Sequence, residues 1–442
     1  MRLKTLSLAI AAALSTVDLS LAYADENCAN LEVSAKVDIS STSPDRCLPG
    51  KNSFQDQQWN LLNNGQDAFS LRGGTPGADL NLWWAHRIGV SGLGVNVAVV
   101  DDGIDIAHPD LSANIRPGSK NFLNDSNDPS PLYPEHAHGT SVAGIIGAVD
   151  NEIGIKGVAP KVKLQGFNVL AKGLNQTLDD YIYSLGGSPA SQDNRLFNQS
   201  YGVSAAAAEN SEGLDLKRLE AIYESKTLQN KNGATYVKAA GNGFGFLPLG
   251  EQALIPINSQ PQIPFLNSNI EPNNTNFWNL VVSAINADGV RASYSSVGSN
   301  IFVAAPGGED GVNSPAHVTT DLRGCNMGYS MDGPNIARVG NRLHHNPTLD
   351  PNCDYNGVMN GTSSATPNTT GSLALLISAY SDLSPRDLRD ILARTSTRID
   401  PDHAPAVLNY PSTAGTKQVT VLEGWEKMLQ VFGLVQRTVS AW

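Results

Sequence analysis

VVDDGID, residues 99–105, closes an apolar run with two adjacent carboxylates, Asp101 and Asp102, before the chain turns at Gly103. Neighbouring anions repel and are costly to desolvate, so such a pair calls for a cation or hydrogen-bond donors close by. A turn rich in Asp and Gly is the bland explanation, and other segments have to decide. The run that ends here, GVNVAVV (94–100), has companions in VKLQGFNVL (162–170), RLFNQSY (195–201), TYVKAA (235–240), NLVVSAI (279–285) and IFVAA (301–305). Several are too continuous for half-exposed strands. Helical patterns follow or intervene: HGTSVAGIIGAV from 138, LDLKRLEAIYESKTLQ from 214, SSATPNTTGSLALLISAY from 363 and RDLRDILART from 386, the last with Ser384 and Pro385 as N-cap and first-turn proline. Buried strands alternating with helices predict an α/β domain, with a mainly parallel sheet covered by helices on both faces. Sites in such sheets gather at the carboxyl ends of strands, where Asp101, Asp102, Ser200 and Asn242 fall. The Pro-, Gly- and Asn-rich stretches 243–278 and 306–360 are expected to be surface loops around that edge.

With 442 residues and 40% hydrophobic content the chain can bury a large core. Its formal net charge of -12, with Lys and Arg scattered, disfavours nucleic acid and anionic lipid as partners. Residues 1–24 read as a secretory signal: Arg2 and Lys4, an apolar stretch to Leu14, then Ala22-Tyr23-Ala24 as a small-x-small cleavage site. Asp18 and several hydroxyl residues interrupt it, so it is not a membrane span, and no later segment qualifies. A secreted or periplasmic location follows. Export suits the four cysteines, Cys28, Cys47, Cys325 and Cys353, all beyond the cleavage site. Of three possible connectivities, Cys28 with Cys47 and Cys325 with Cys353 close the shortest loops. No pair has zinc-site spacing.

Two more segments carry chemistry. In EHAHGTSVAGIIGAV, His138 precedes Gly-Thr-Ser and opens an apolar helix; in MNGTSSATP, Ser363 stands at the start of the most hydrophobic helix in the chain. A lone His is commonplace, and a Ser at a helix start is explained as an N-cap. Together, however, VVDDGID, HGTSVAG and GTSSATP resemble, in that order, the Asp…His…Ser motifs of the subtilisin-like serine proteases, over roughly residues 54–425. The resemblance implies a subtilisin-like fold and a peptidase acting on peptide or protein substrates. Ser363 is then the nucleophile, His138 its general base and Asp101 the residue that orients the imidazole. Asn242 in KAAGNG matches the side-chain donor to the oxyanion, with the Ser363 N–H as a second donor. Ser200, Tyr201 and Gly202 match the strand that pairs with the substrate backbone. His136 lacks the following Gly-Thr and is read as a loop residue.

The resemblance also implies calcium in the loop VDNEIGI (149–155), with Asp110, Asn151 and the carbonyls of Val149, Ile153 and Ile155 as ligands. Subtilisins usually carry a small polar residue after the catalytic Asp, whereas the kexin and furin branch carries a second Asp facing a basic substrate side chain. Asp102 resembles that residue, and QDQQWNLLNNGQ, GADLNLWWAHRIGVSGLG and LEGWEK are similarly kexin-like. The further acids of kexins are missing: SYGVSAAAAEN offers alanines, with only Glu209 beyond. Residues 25–53 form a short extension before a peptidase domain spanning 54–427, too few for a folding-assistant propeptide, so a separate chaperone is expected. The last stretch, MLQVFGLVQRTVSAW (428–442), matches nothing in the family. A one-base shift of reading frame could turn it into NAAGFWFSTTYGFGL, restoring two kexin-like segments that precede a P domain; codons incompatible with that shift would exclude it. The rival to a secreted endopeptidase is a catalytically silent exported protein that keeps the fold as a binding scaffold.

Overall fold

Six parallel strands run in the order β2-β1-β3-β4-β5-β6: β1 is Asn96–Val100, β2 Lys163–Phe167, β3 Leu196–Gln199, β4 Thr235–Ala239, β5 Asn279–Ile285 and β6 Ile301–Pro306. An antiparallel pair extends the β6 edge, from residues 397–398 and 427–428. The computed structural model describes residues 46–202, 214–229, 232–244, 268–331 and 339–399, with the backbone of short strands at 246–249, 253–256, 406–412, 415–421 and 427–428. The expected signal (1–24), Cys28, Glu209 and the aberrant end (429–442) lie outside the described residues. No helix among the described residues is long and apolar enough to cross a membrane.

The period of two along β1 sets the layers. Val97 and Val99 join a core with Val142 and Ile146 of α1 (His138–Gly147) and with Leu373 and Leu376 of a second helix on that face, while Ala98 and Val100 meet Phe167, Phe197, Leu219, Tyr223 and Tyr236. Leu219 and Tyr223 lie on α2 (Leu214–Thr227), which covers the other face. Each Val, Leu, Ile or Phe side chain among them contributes about 1.5–3 kcal/mol by leaving water. The expected parallel sheet with helices on both faces is therefore present.

The helix carrying Leu373 and Leu376 is α3 (Thr362–Ala379), buried at every residue from Ser364 to Ile377. The first half of this helix, Thr362–Ser372, is polar and can be buried because its hydroxyls return to the preceding turn: Thr366 Oγ1 donates to the Thr362 carbonyl (2.8 Å), Thr370 to Thr366 (3.0 Å) and Ser372 to Asn368 (2.8 Å). The last long helix, α4 (Pro385–Thr395), starts as expected at Ser384, in a reciprocal cap with Asp387.

The stretch 306–360 is not the surface loop its composition suggested. His317–Thr320 (β7) pairs antiparallel with Tyr355–Met359 (β8), and β7 is wholly buried beneath α1. Its hydroxyls replace apolar packing: Thr319 Oγ1 donates to the Ser141 carbonyl (2.8 Å), Thr320 Oγ1 to that of Thr140 (2.7 Å), and Ser141 Oγ back to Thr320 (2.7 Å). Hydrophobic periodicity cannot register a strand held this way. The Cys325–Cys353 disulfide closes the loop between β7 and β8, as expected. Cys47 is also disulfide-bonded.

Candidate active site

Asp101 extends β1 by one residue at the carboxyl edge of the sheet and is 1% exposed. Its Oδ1 accepts from His138 Nδ1 at 2.8 Å and from the Asp102 N–H at 2.9 Å. Asp102 turns the other way. Its two oxygens accept from the backbone N–H groups of His138 (3.1 Å) and Gly139 (2.7 Å), the first orphan donors of α1. The doubled acid thus has a structural use: one carboxylate holds the imidazole and the next caps the helix on which that imidazole stands. Gly139 is required by this approach, since a Cβ there would lie 2.2 Å from the Gly103 carbonyl and 2.9 Å from Asp101 Cβ. Asp105, later in the same turn, accepts a two-pronged ion pair from Arg323 (2.7 and 3.0 Å) and donates its N–H to Thr140 Oγ1 (3.0 Å).

Ser363 occupies the first turn of α3. Pro367, four residues on, has no N–H for the Ser363 carbonyl, which accepts instead from Ser200 Oγ at 2.9 Å. The Ser363 hydroxyl in turn donates to the Ser200 carbonyl at 3.0 Å. Asn198 steadies the junction, donating to Ser200 Oγ (2.9 Å) and accepting from Thr370 Oγ1 (2.8 Å). The tip of β3 and the start of α3 are therefore bound reciprocally. The hydroxyl is turned to Ser200 rather than to His138, whose Nε2 has no hydrogen bond among the described residues. His136 sits in the bend before α1 against Tyr133, ring centres 5.1 Å apart, as the loop residue expected.

Asn242 follows β4 in the neighbouring strand-end loop. Its Oδ1 accepts from both the N–H and the hydroxyl of Thr362 (2.9 Å each), which leaves Nδ2 directed at Gly361 and the start of α3. Gly361 has φ of 100°, and a Cβ built on it would stand 3.1 Å from Asn242 Nδ2 and 3.4 Å from the Ser363 nitrogen. Two N–H donors therefore border the space above Gly361. Nothing in the sequence alone marks Gly361 or Thr362 as part of the site, although both lie inside MNGTSSATP. Tyr201 covers the buried Lys238 ammonium, 4.9 Å from its ring centre, and exposed Gly202 faces Lys238 and Glu271.

Burial opposes a charged imidazole at His138, but the Asp101 charge and hydrogen bond, aided by the Asp102 charge, outweigh it and raise its pKa to about 9. Burial, then the neighbouring Asp101, push Asp102 up to about 7.

The atoms expected to hold calcium converge, but on a group the sequence reading did not include. Asn52 Nδ2 lies 3.1 Å from the Val149 carbonyl, 3.3 Å from Asn151 Oδ1, 2.7 Å from the Ile153 carbonyl and 2.6 Å from that of Ile155. Asp110 borders the cage, accepting from Asn151 Nδ2 (3.1 Å) and the Ile155 N–H (2.9 Å). The donor set has calcium chemistry. With an amide nitrogen among those four oxygens, this arrangement does not fit the ion.

Residues 92–424 match the subtilase family. The Aeromonas extracellular serine protease of Aeromonas sobria is 58% identical over 430 residues, covering 97% of this chain and 68% of that protein. Neuroendocrine convertase 2 of Mus musculus is 28% identical over 355 residues, 77% of this chain and 46% of its own length. A crystal structure of the Aeromonas sobria serine protease in complex with a chaperone superposes with a TM-score of 0.89 at 54% identity, covering 94% of this chain and 72% of that one. The chain belongs to the subtilase family and is a serine-type endopeptidase.

Proposed function

We propose that this endopeptidase is secreted and cuts exposed peptide segments through Ser363, His138 and Asp101, with Asn242 and the Ser363 N–H as the oxyanion donors. The observation that carries the reading is that the ends of β3 and β4 meet the first turn of α3 while the end of β1 holds the His138 imidazole. Asp101 grips the imidazole at 2.8 Å, Ser200 grips Ser363, and Asn242 is aimed at the gap above Gly361. A substrate strand laid along Ser200–Gly202 offers an N–H to the Ser200 carbonyl, displacing the Ser363 hydroxyl and freeing it to turn to His138 Nε2. As Oγ bonds to the carbonyl carbon its proton passes to the imidazole, and then to the leaving amine as the C–N bond breaks. Water repeats the steps in reverse on the acyl-enzyme. Asp101 keeps the imidazole in the right tautomer and offsets its charge.

The signal-like leader and the extracellular relative support secretion. The chaperone bound by that relative's crystallised counterpart supports a separate folding partner for this chain. A fluorophosphonate probe should label the protein, and no longer label Ser363→Ala; no labelling of the parent would restore the silent scaffold, and equal labelling of both would remove Ser363 as the nucleophile.

A kexin-like preference for Lys or Arg just upstream of the cut rests on Asp102, and the convertase likeness supports it. Its carboxylate also sets the pH profile. The base works only when neutral, so activity falls as pH drops through the raised His138 value, and the acid limb should lie well above 6.5, towards 9. Asp102→Asn removes one of the charges that raise it. The limb should then move to lower pH, while the turnover ratio of basic to neutral peptides drops. An unmoved limb would remove the Asp102 coupling, and an unchanged ratio the basic preference.

A further inference from the structure

The Asn52 carboxamide is 5% exposed and has two hydrogens, yet four oxygens lie within 3.3 Å of its nitrogen. The Ile153 and Ile155 carbonyls, at 2.7 and 2.6 Å, take the two hydrogens, and the Val149 carbonyl and Asn151 Oδ1 stand at longer range. The amide cannot be turned over without an ion, because Oδ1 would then face four oxygens with nothing between them. In its present sense Oδ1 is buried with no partner, a cost that only a useful contact on the other side offsets. The neighbourhood is anchored independently of any ion: Asp110 accepts from Asn151 and Ile155, its carbonyl accepts from the Val149 N–H (2.8 Å), and the Gly154 carbonyl accepts from the Phe54 N–H (2.7 Å). Asp110 is the one carboxylate among these groups, a weak charge for holding a dication against a resident amide.

We infer that Asn52 replaces the cation of this loop: its amide is an internal strut from the N-terminal lead-in, and residues 149–155 fold around it without calcium. Emptying the cage should open it to the ion. Asn52→Ala removes the strut, and Asn52→Asp puts a second carboxylate beside neutral oxygens.

The test measures melting temperature in calcium and in chelator for the full chain, each variant in a Ser363→Ala background to prevent self-digestion. In chelator, both Asn52 variants should melt several degrees below the parent. Calcium should raise Asn52→Asp most, Asn52→Ala next and the parent least, since an ion bound only by the folded state stabilises it by mass action. Ions bound elsewhere shift all three alike, so the comparison isolates this loop. A calcium shift in the parent as large as or larger than in Asn52→Ala would overturn the inference, showing that the ion enters and the amide turns its oxygen to it. These readouts do not depend on the peptidase mechanism.

Discussion

Ser363→Ala and His138→Ala are each expected to lower turnover by about 10⁶-fold, and the double variant by no more than either alone. The non-additivity follows from the chemistry: without the base the hydroxyl is a poor nucleophile, and without the hydroxyl the base has no proton to take. Asp101→Asn should be less damaging, by about 10⁴-fold, since the imidazole can still be held but in the wrong tautomer. The measurement is kcat on a fluorogenic peptide with melting curves alongside, because Ser363 and Ser200 also bind two elements together. A Ser363→Ala protein that folds and still turns over substrate would overturn the assignment.

The second large effect is expected at Asn242. Asn242→Ala should lower kcat by about 10²–10³-fold with KM nearly unchanged, because the donor is used only when the carbonyl oxygen becomes an anion. Asn242→Asp keeps the shape and the acceptor facing Thr362 but places a carboxylate oxygen where Nδ2 stood, so it should be at least as harmful. Gly361→Ala tests the same space from below. Its Cβ would intrude 3.1 Å from Asn242 Nδ2, and its φ of 100° strains any side chain. Loss through KM alone in Asn242→Ala would move the residue from transition-state stabilisation to substrate binding.

The parallel sheet was legible because its strands alternate between two apolar cores, as Val97 and Val99 against Ala98 and Val100 illustrate. The motifs stand out for the complementary reason that each falls at a strand end or helix start, where the fold brings Asp101 against His138 and Ser363 against Ser200. What escaped was polar structure within the interior. β7 is buried through hydroxyls and so resembles a loop in composition. Thr362 works through Asn242, and Asn52 works by filling a cage whose walls lie some hundred residues away. Nothing local marks a residue whose partners are brought to it only by the fold. Asp102 is the intermediate case: the doubled acid was visible at once, but its helix-capping role needed α1 to be in place.

Because α3 runs buried from Ser364 to Ile377 with the hydroxyl proposed as nucleophile one residue ahead, that proposal leaves no soft joint between the interior and the chemistry. A displacement of about 1 Å at a reacting group is enough to cost about 10²-fold in rate. Turnover is in that sense a strain gauge for the middle of the molecule. A methyl group lost beside Leu373 or Leu376 should register as slower catalysis at temperatures where every spectroscopic sign of folding is intact.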